Sequence, residues 1–240
     1  MIKLNKDDYI LIAREPNQNY LIDLSKIDSG DLTLQTNSDC DTNLYIIGNG
    51  QSFVGNWEFY VGKNSTLKVW GAFKNMDGFL EIETHLNKNS TYINKFGFYQ
   101  NHGKKFRVEE NINHFTSQTK SILKWQSYLD NDSTLHLQHL GKAEKTAQNI
   151  SINHYDENTI LDESSQVKTE PMLKVEIDSV SAKHGSSIGG ISENELFYMQ
   201  SRGLEKEMAK KEIALGKIMS LYKDSPEFYE LVEKEFENED

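Results

Sequence analysis

Residues Asn64–Ile93 read NSTLKVWGAFKNMDGFLEIETHLNKNSTYI. The stretch opens on Asn64-Ser65-Thr66 and returns, 25 residues on, to Asn89-Ser90-Thr91. Between these lead-ins lie two short runs, Thr66–Trp70 and Phe79–Thr84, rich in apolar and β-branched residues and separated by Asn and Gly. Such runs, bounded by turn-forming residues, are strand signals. Related lead-ins occur at Asn131-Asp132-Ser133-Thr134 and Glu157-Asn158-Thr159, so the four threonines are spaced by 25, 43 and 25 residues. A gap of 43 is close to two turns of a ~22-residue repeat, and Leu44 to Leu67, at 23, carries the series towards the amino terminus. A fixed period with two short strands per turn predicts a β-solenoid, in which no coil buries its inward side chains alone and successive coils stack. Leu44 and Leu67 are then expected to face inward from neighbouring coils. A β-sandwich also produces many short strands and is the alternative.

The surrounding sequence extends the pattern. Further strand candidates are Tyr9–Ala13, Tyr20–Leu24, Leu32–Thr36, Leu44–Ile47, Thr91–Tyr99, Ile122–Tyr128, Thr134–His139 and Ile150–His154. Pro171 suits the start of a strand, and Leu173, Val175 and Ile177 alternate with Lys174, Glu176 and Asp178 as in a half-buried one. After that point the pattern turns helical. Ser192 with Glu195 forms a capping-box pattern, predicting a helix from about Glu193 that Gly203 ends in a left-handed conformation. Leu204, Met208, Leu215, Ile218 or Met219, and Tyr222 give a second helix an apolar stripe. Ser225-Pro226 begins a third, with Phe228, Val232 and Phe236 on one face. Helices this few have too little interior to stand alone, so they pack on the solenoid's end, on each other or on a partner.

Composition narrows the function. With 240 residues and a formal charge of −11, the chain is poorly suited to nucleic acid or an anionic membrane surface. It has no run of the ~18 apolar residues that span a bilayer, and MIKLNKDDYILIA lacks the features of a secretory signal. A single cysteine, Cys40, excludes an internal disulfide and fits a reducing cytoplasm. Its neighbours Asp39 and Asp41 disfavour a thiolate, so a structural role is expected. Gly48-Asn49-Gly50 with Gly55 lacks phosphate-loop spacing and reads as solenoid corners. His136 and His139, three apart on a strand, point to opposite faces. Asp28, Asp31, Asp39 and Asp41 raise a reading of a different class, a carbohydrate-acting β-helix protein using clustered carboxylates, but turn chemistry also explains them.

A resemblance covers roughly 35 residues. Thr169-Glu170-Pro171, Asp178-x-Val180, His184-Gly185, Gly189, Leu196-Phe197-Tyr198 and Ser201-Arg202-Gly203 look like the C-terminal signature of the SufB/SufD family, the scaffold subunits of SUF iron–sulfur cluster assembly. Many members carry a cysteine two residues before the histidine; here Ala182 stands in that place, which resembles the SufD side of the family. The resemblance implies a mainly β protein with a right-handed parallel β-helix over residues 1–190 and a small helical tail over 191–240. It implies a non-enzymatic scaffold that pairs with a SufB-like subunit, or with itself, and docks a SufC-type ATPase through the tail. Leu196, Phe197, Tyr198, Arg202 and Gly203 are the docking residues expected on that basis. His184 matches the family's histidine at the contact between paired subunits, a candidate metal ligand or proton carrier. No permanently bound cofactor is implied, only iron or a cluster held transiently and shared with the partner. Members usually carry a helical region before the solenoid, whereas this sequence opens on a strand pattern, so a minimal form is expected. A SufB-like homodimeric scaffold is the alternative within the family.

Overall fold

The computed structural model describes residues 2–4 and 9–237; the outermost residues of both expected domains lie outside it. Within the described residues fifteen strands form two parallel sheets. The odd-numbered strands make the first sheet: β1 (Ile2–Leu4), β3 (Gln18–Asp23), β5 (Asp41–Asn49), β7 (Thr66–Lys74), β9 (Thr91–Gln100), β11 (Lys120–Leu129), β13 (Ile150–Ile160) and β15 (Val180–Gly189). The even-numbered ones make the second: β2 (Tyr9–Ala13), β4 (Leu32–Thr36), β6 (Ser52–Val61), β8 (Asp77–Leu86), β10 (Lys105–His114), β12 (Thr134–Ala143) and β14 (Gln166–Val175). The chain alternates between sheets and each strand pairs with the one two places on, which is a β-solenoid and not a sandwich.

Parallel pairing in register aligns equivalent positions of successive coils, so side chains stack in ladders. One runs Tyr20, Leu44, Val69, Asn94, Leu123, His154, His184. Leu44 and Leu67 are fully buried on the neighbouring strands β5 and β7, as expected, with Thr42 opposite Leu67. The repeat is not constant. Thr66 pairs with Thr91, 25 residues on, but Thr91 pairs with Lys120, 29 on, and Lys120 with Ser151, 31 on. The threonine spacing therefore misleads beyond Thr91. Thr134 starts β12 in the other sheet, and Thr159 lies near the end of β13. The feature that does recur is a left-handed residue just before strands of the first sheet: Asn17, Asp39, Asn64, Asn89, Gln118 and Asn149. Asn and Asp tolerate this conformation best after glycine. Asn64 and Asn89 also hydrogen-bond to the coil before, at 2.9 and 3.1 Å.

The tail comprises α1 (Glu193–Ser201), α2 (Lys206–Ser220) and α3 (Pro226–Glu237). It does not cover the end of the solenoid. α2 and α3 lie along the outer face of the first sheet, against β5, β7, β9 and β11. Strands that meet both the core and a helix are apolar on both faces. Thus Tyr45, Ile47, Trp70, Ala72, Tyr99 and Tyr128 point outward and are buried by Ala214, Ile218, Leu221, Tyr222, Phe228 and Val232. Phe228 stacks on Tyr45 at 5.2 Å, and Tyr222 Oη donates to the Gly71 carbonyl at 2.6 Å. Lys95 Nζ reaches Asp224 at 2.6 Å.

Several local expectations shift. Met208 is exposed, because the buried stripe of α2 runs through Ala214 and Ile218 instead. Ser192 occupies the N-cap of α1 without a capping hydrogen bond, and Glu195 accepts instead from Lys217 Nζ at 2.9 Å. Pro171 sits inside β14 and not at its start; β14 is an edge strand, where a missing N–H disturbs no ladder. Gly203 takes φ +96° and closes α1 as expected.

Candidate functional site

The core changes character along the solenoid. Its early coils hold hydrocarbon: Leu34, Leu44, Phe59, Val69, Leu80 and Phe73 are fully buried. From β9 and β10 onward polar side chains take inward positions. Glu110 is wholly buried, accepting from Tyr92 Oη at 2.5 Å and Asn94 Nδ2 at 2.8 Å. Burial pushes its carboxyl up to about 8, against which the hydrogen bonds from Tyr92 and Asn94 work. Trp125 Nε1 donates to Asn94 Oδ1 at 3.1 Å, and the Trp125 ring meets His139 edge-on at 5.4 Å.

Beyond Trp125 lies a cluster of imidazoles and one acid. His139 Nε2 donates to Asp156 Oδ1 at 2.9 Å, and Thr169 Oγ1 also bonds that carboxylate. Burial raises the Asp156 carboxyl, but the bonds from His139 and Thr169 together outweigh it and hold the group below the usual carboxylate range. His154 lies edge-to-face with His139 at 5.4 Å and its Nε2 is 2.8 Å from Ser121 Oγ. His114 lies on the other side of the same serine, Nε2 at 2.9 Å, with Nδ1 2.8 Å from Thr119 Oγ1. Desolvation pushes His114 down to about 4 and His154 well below an ordinary imidazole, so both rings are neutral. His139 Nδ1 and His154 Nδ1 have no hydrogen-bond partner.

His184 continues this column. It is paired in register with His154, so it projects on the interior side of β15. It is nevertheless exposed, because β15 belongs to the last coil. Around it the end of the solenoid presents Leu173, Val175, Ile177, Val180 and Ala182, all partly buried. β14 and β15 each have a paired neighbour on one side only. The structure thus brings His184 together with His154, which sequence reading did not single out. The signal available was an alternation of Ile150, Ile152 and His154 on one strand.

The other expected site residues lie elsewhere. Leu196, Phe197, Tyr198 and Arg202 are on or next to α1, which buries none of its residues. Phe197 is 74 % and Tyr198 58 % exposed, with the Arg202 guanidinium 5.4 Å from the Tyr198 ring centroid. His136 and His139 part as expected: His136 turns outward to Glu170 at 2.6 Å. Cys40 is buried, its thiol 3.5 Å from the Arg14 carbonyl. Asp39 and Asp41 serve a corner, accepting from Asn64 Nδ2 and from the Thr66 N–H, both at 2.9 Å. Among the described residues no group of three or more His, Cys, Asp or Glu is arranged to hold a metal ion, and no helix is long and apolar enough to cross a membrane.

A parallel β-solenoid with an uncovered, histidine-bearing last coil and a helical tail on its flank defines the class of protein. Comparison with known families gives the group. Residues 48–217 match the family model described as SUF system FeS cluster assembly, SufBD core domain, and the chain belongs to that family. A SufBD family protein of Pyrococcus horikoshii is 26 % identical over 180 residues, covering 75 % of this chain and 34 % of the relative. The iron–sulfur cluster assembly protein SufD of Bacillus subtilis is 23 % identical over 167 residues, covering 69 % and 38 %. The SufB protein of the same organism is 34 % identical over 92 residues, covering 38 % and 19 %. The chain therefore spans well under half the length of these curated relatives. Family membership removes the ground for the carbohydrate reading.

Proposed function

We propose that this chain is a SufD-like scaffold subunit of cytoplasmic iron–sulfur cluster assembly, with no catalytic turnover of its own. In this reading residues 1–190 form the pairing core and residues 191–240 the tail that docks a SufC-type ATPase. The observation that carries it is the uncovered last coil, whose unpaired edges and partly buried apolar side chains surround His184. Exposed strand edges and an unfinished apolar layer invite a second protein. In this reading the second protein is a SufB-like subunit that covers the open coil. His184 offers one nitrogen donor, so iron or a nascent cluster at the contact is substrate shared between chains, completed by ligands of the partner. Ala182 supports the SufD-like assignment, since it supplies no thiolate beside the histidine. The exposed pair Phe197 and Tyr198 beside Arg202 has the make-up of interface anchors and supports α1 as the ATPase contact. The second reading is a SufB-like homodimeric scaffold; the match to SufB of Bacillus subtilis bears on its SufB-like part alone.

Purification of the tagged chain from its source, with mass spectrometry of what accompanies it, separates the two. A SufB-like chain plus an ATPase supports the first reading; the ATPase with a second copy of this chain supports the other. Leu173→Asp should release the scaffold partner and keep the ATPase, while Phe197→Ala should do the reverse, weakening ATPase binding by roughly 2 kcal/mol or more. Recovery of neither partner would reject the proposal.

A further inference from the structure

With both rings neutral, only one direction of the hydrogen bonds beneath His184 gives every proton an acceptor. Thr119 Oγ1 donates to the Thr116 carbonyl at 3.3 Å, and a carbonyl can only accept. Having spent its one proton, the Thr119 hydroxyl must accept at 2.8 Å from His114, whose Nδ1 is therefore protonated. In a neutral ring His114 Nε2 is then a bare acceptor, so Ser121 Oγ donates to it at 2.9 Å. Ser121 in turn accepts at 2.8 Å from His154 Nε2–H. This leaves His154 Nδ1 as a lone pair, wholly buried and without a donor. A buried acceptor left unmet costs on the order of 1–3 kcal/mol. The remaining neighbours do not meet it. His139 packs edge-to-face on the ring and gives its Nε2 proton to Asp156, and Leu123 and Ile152 are hydrocarbon.

The next coil holds the one imidazole that can. His184 pairs with His154 on an adjacent parallel strand, the two strands roughly 4.8 Å apart, and points to the same side; the two rings are not hydrogen-bonded as they stand, and the exposed His184 side chain must rotate to close the contact. We propose that His154 is a positioning residue for His184: its Nδ1 accepts an N–H from the His184 ring. The chain Thr116–Thr119–His114–Ser121–His154 thereby fixes which His184 nitrogen carries the proton. The other nitrogen is then a lone pair presented at the uncovered coil end, ready for a first-row transition metal ion. Metal-binding histidines are commonly held in this way through the nitrogen that does not bind. This inference rests on the reading of His184 as the site residue, but the device itself can be tested without any metal.

The test is long-range ¹H–¹⁵N correlation on the full chain labelled at histidine, at pH 8, in wild type, Ser121→Ala and His154→Gln. The wild type should show His154 protonated at Nε2 and His184 in one tautomer. Ser121→Ala should scramble His154, and both variants should return His184 to the averaged shifts of a free imidazole. Ser121→Ala removes one hydroxyl and preserves the ring, so it keeps the test open if His154→Gln fails to fold. His184 shifts identical in all three proteins, or His154 protonated at Nδ1 in the wild type, would overturn the inference. As a second readout, ferrous ion retained by the assembled complex should fall about 10-fold or more in Ser121→Ala. Tautomer coupling together with normal cluster loading in His184→Ala would sink the site reading and leave the device standing. Lost loading in His184→Ala without coupling would do the opposite.

Discussion

Replacing Glu110 by Gln should stabilise the protein, by an amount that depends on pH. The wild-type carboxyl is wholly buried between Tyr92 and Asn94, and its pKa rises from 4.5 unfolded to about 8 folded. A group with a raised folded pKa supports the fold fully below its unfolded value and loses that support as pH climbs to the folded one. Between 4.5 and about 8 the folded state holds a proton that the unfolded state gives up, and each pH unit costs about 1.4 kcal/mol. At pH 7 the penalty is about 3 kcal/mol; at pH 5 it is under about 1 kcal/mol. Glutamine mimics the protonated acid and does not titrate. Its oxygen can take the Asn94 N–H, and its amide can donate to Tyr92 Oη, whose own proton turns to the unpartnered Thr84 hydroxyl. Urea unfolding of both proteins at pH 5, 6, 7 and 8 is the assay. The curves should diverge with rising pH in favour of Glu110→Gln. A stability difference that is constant across this range, or that favours the wild type at pH 8, would refute the claim that a protonated acid is sealed in the core.

Acid should act through the imidazoles. His114 falls from 6.5 to about 4 on folding, so its contribution is present above 6.5 and is lost as pH drops towards 4, on the order of 2 kcal/mol by pH 5; urea melts of His114→Asn should show a shallower acid limb. Gly216 lies within α2 with open space where a Cβ would sit, so Gly216→Ala should raise stability by about 0.5–1 kcal/mol in thermal melts. Phe228, buried between Tyr45 and Tyr222, should cost about 3–5 kcal/mol when cut to Ala, with proteolysis of the tail as the readout.

How much of this was legible in the sequence depends on what each strand faces. β2, β4, β7 and β9 carry clear apolar signals and were read within a few residues of their bounds. β10 gives no clear signal, because two of its inward positions, Glu110 and His114, are polar in a core that has itself become polar. β6 is hidden in the sequence because Gly55 reads as a corner, although Phe53, Trp57, Phe59 and Val61 alternate inward. The flank position of the tail was written in the doubly apolar runs of β5, β7 and β9, such as Leu44–Ile47 and Phe96–Tyr99, which need cover on both faces. His184 was found by resemblance alone. Its partner His154 could not be, since their separation of 30 positions becomes one strand spacing only when the coil closes.

The most direct measurement is iron–sulfur chromophore in the reconstituted scaffold–ATPase complex, made anaerobically with wild-type chain and with His184→Ala, alongside the mass of each complex in solution. His184 is exposed at the coil end and buries little, so its loss should leave the mass of the complex unchanged. The chromophore should nevertheless fall well below wild type, because one nitrogen donor is gone and Ala182 offers no thiolate in its place. Wild-type chromophore in the His184→Ala complex would contradict the account and move the assembly chemistry wholly onto the partner chain.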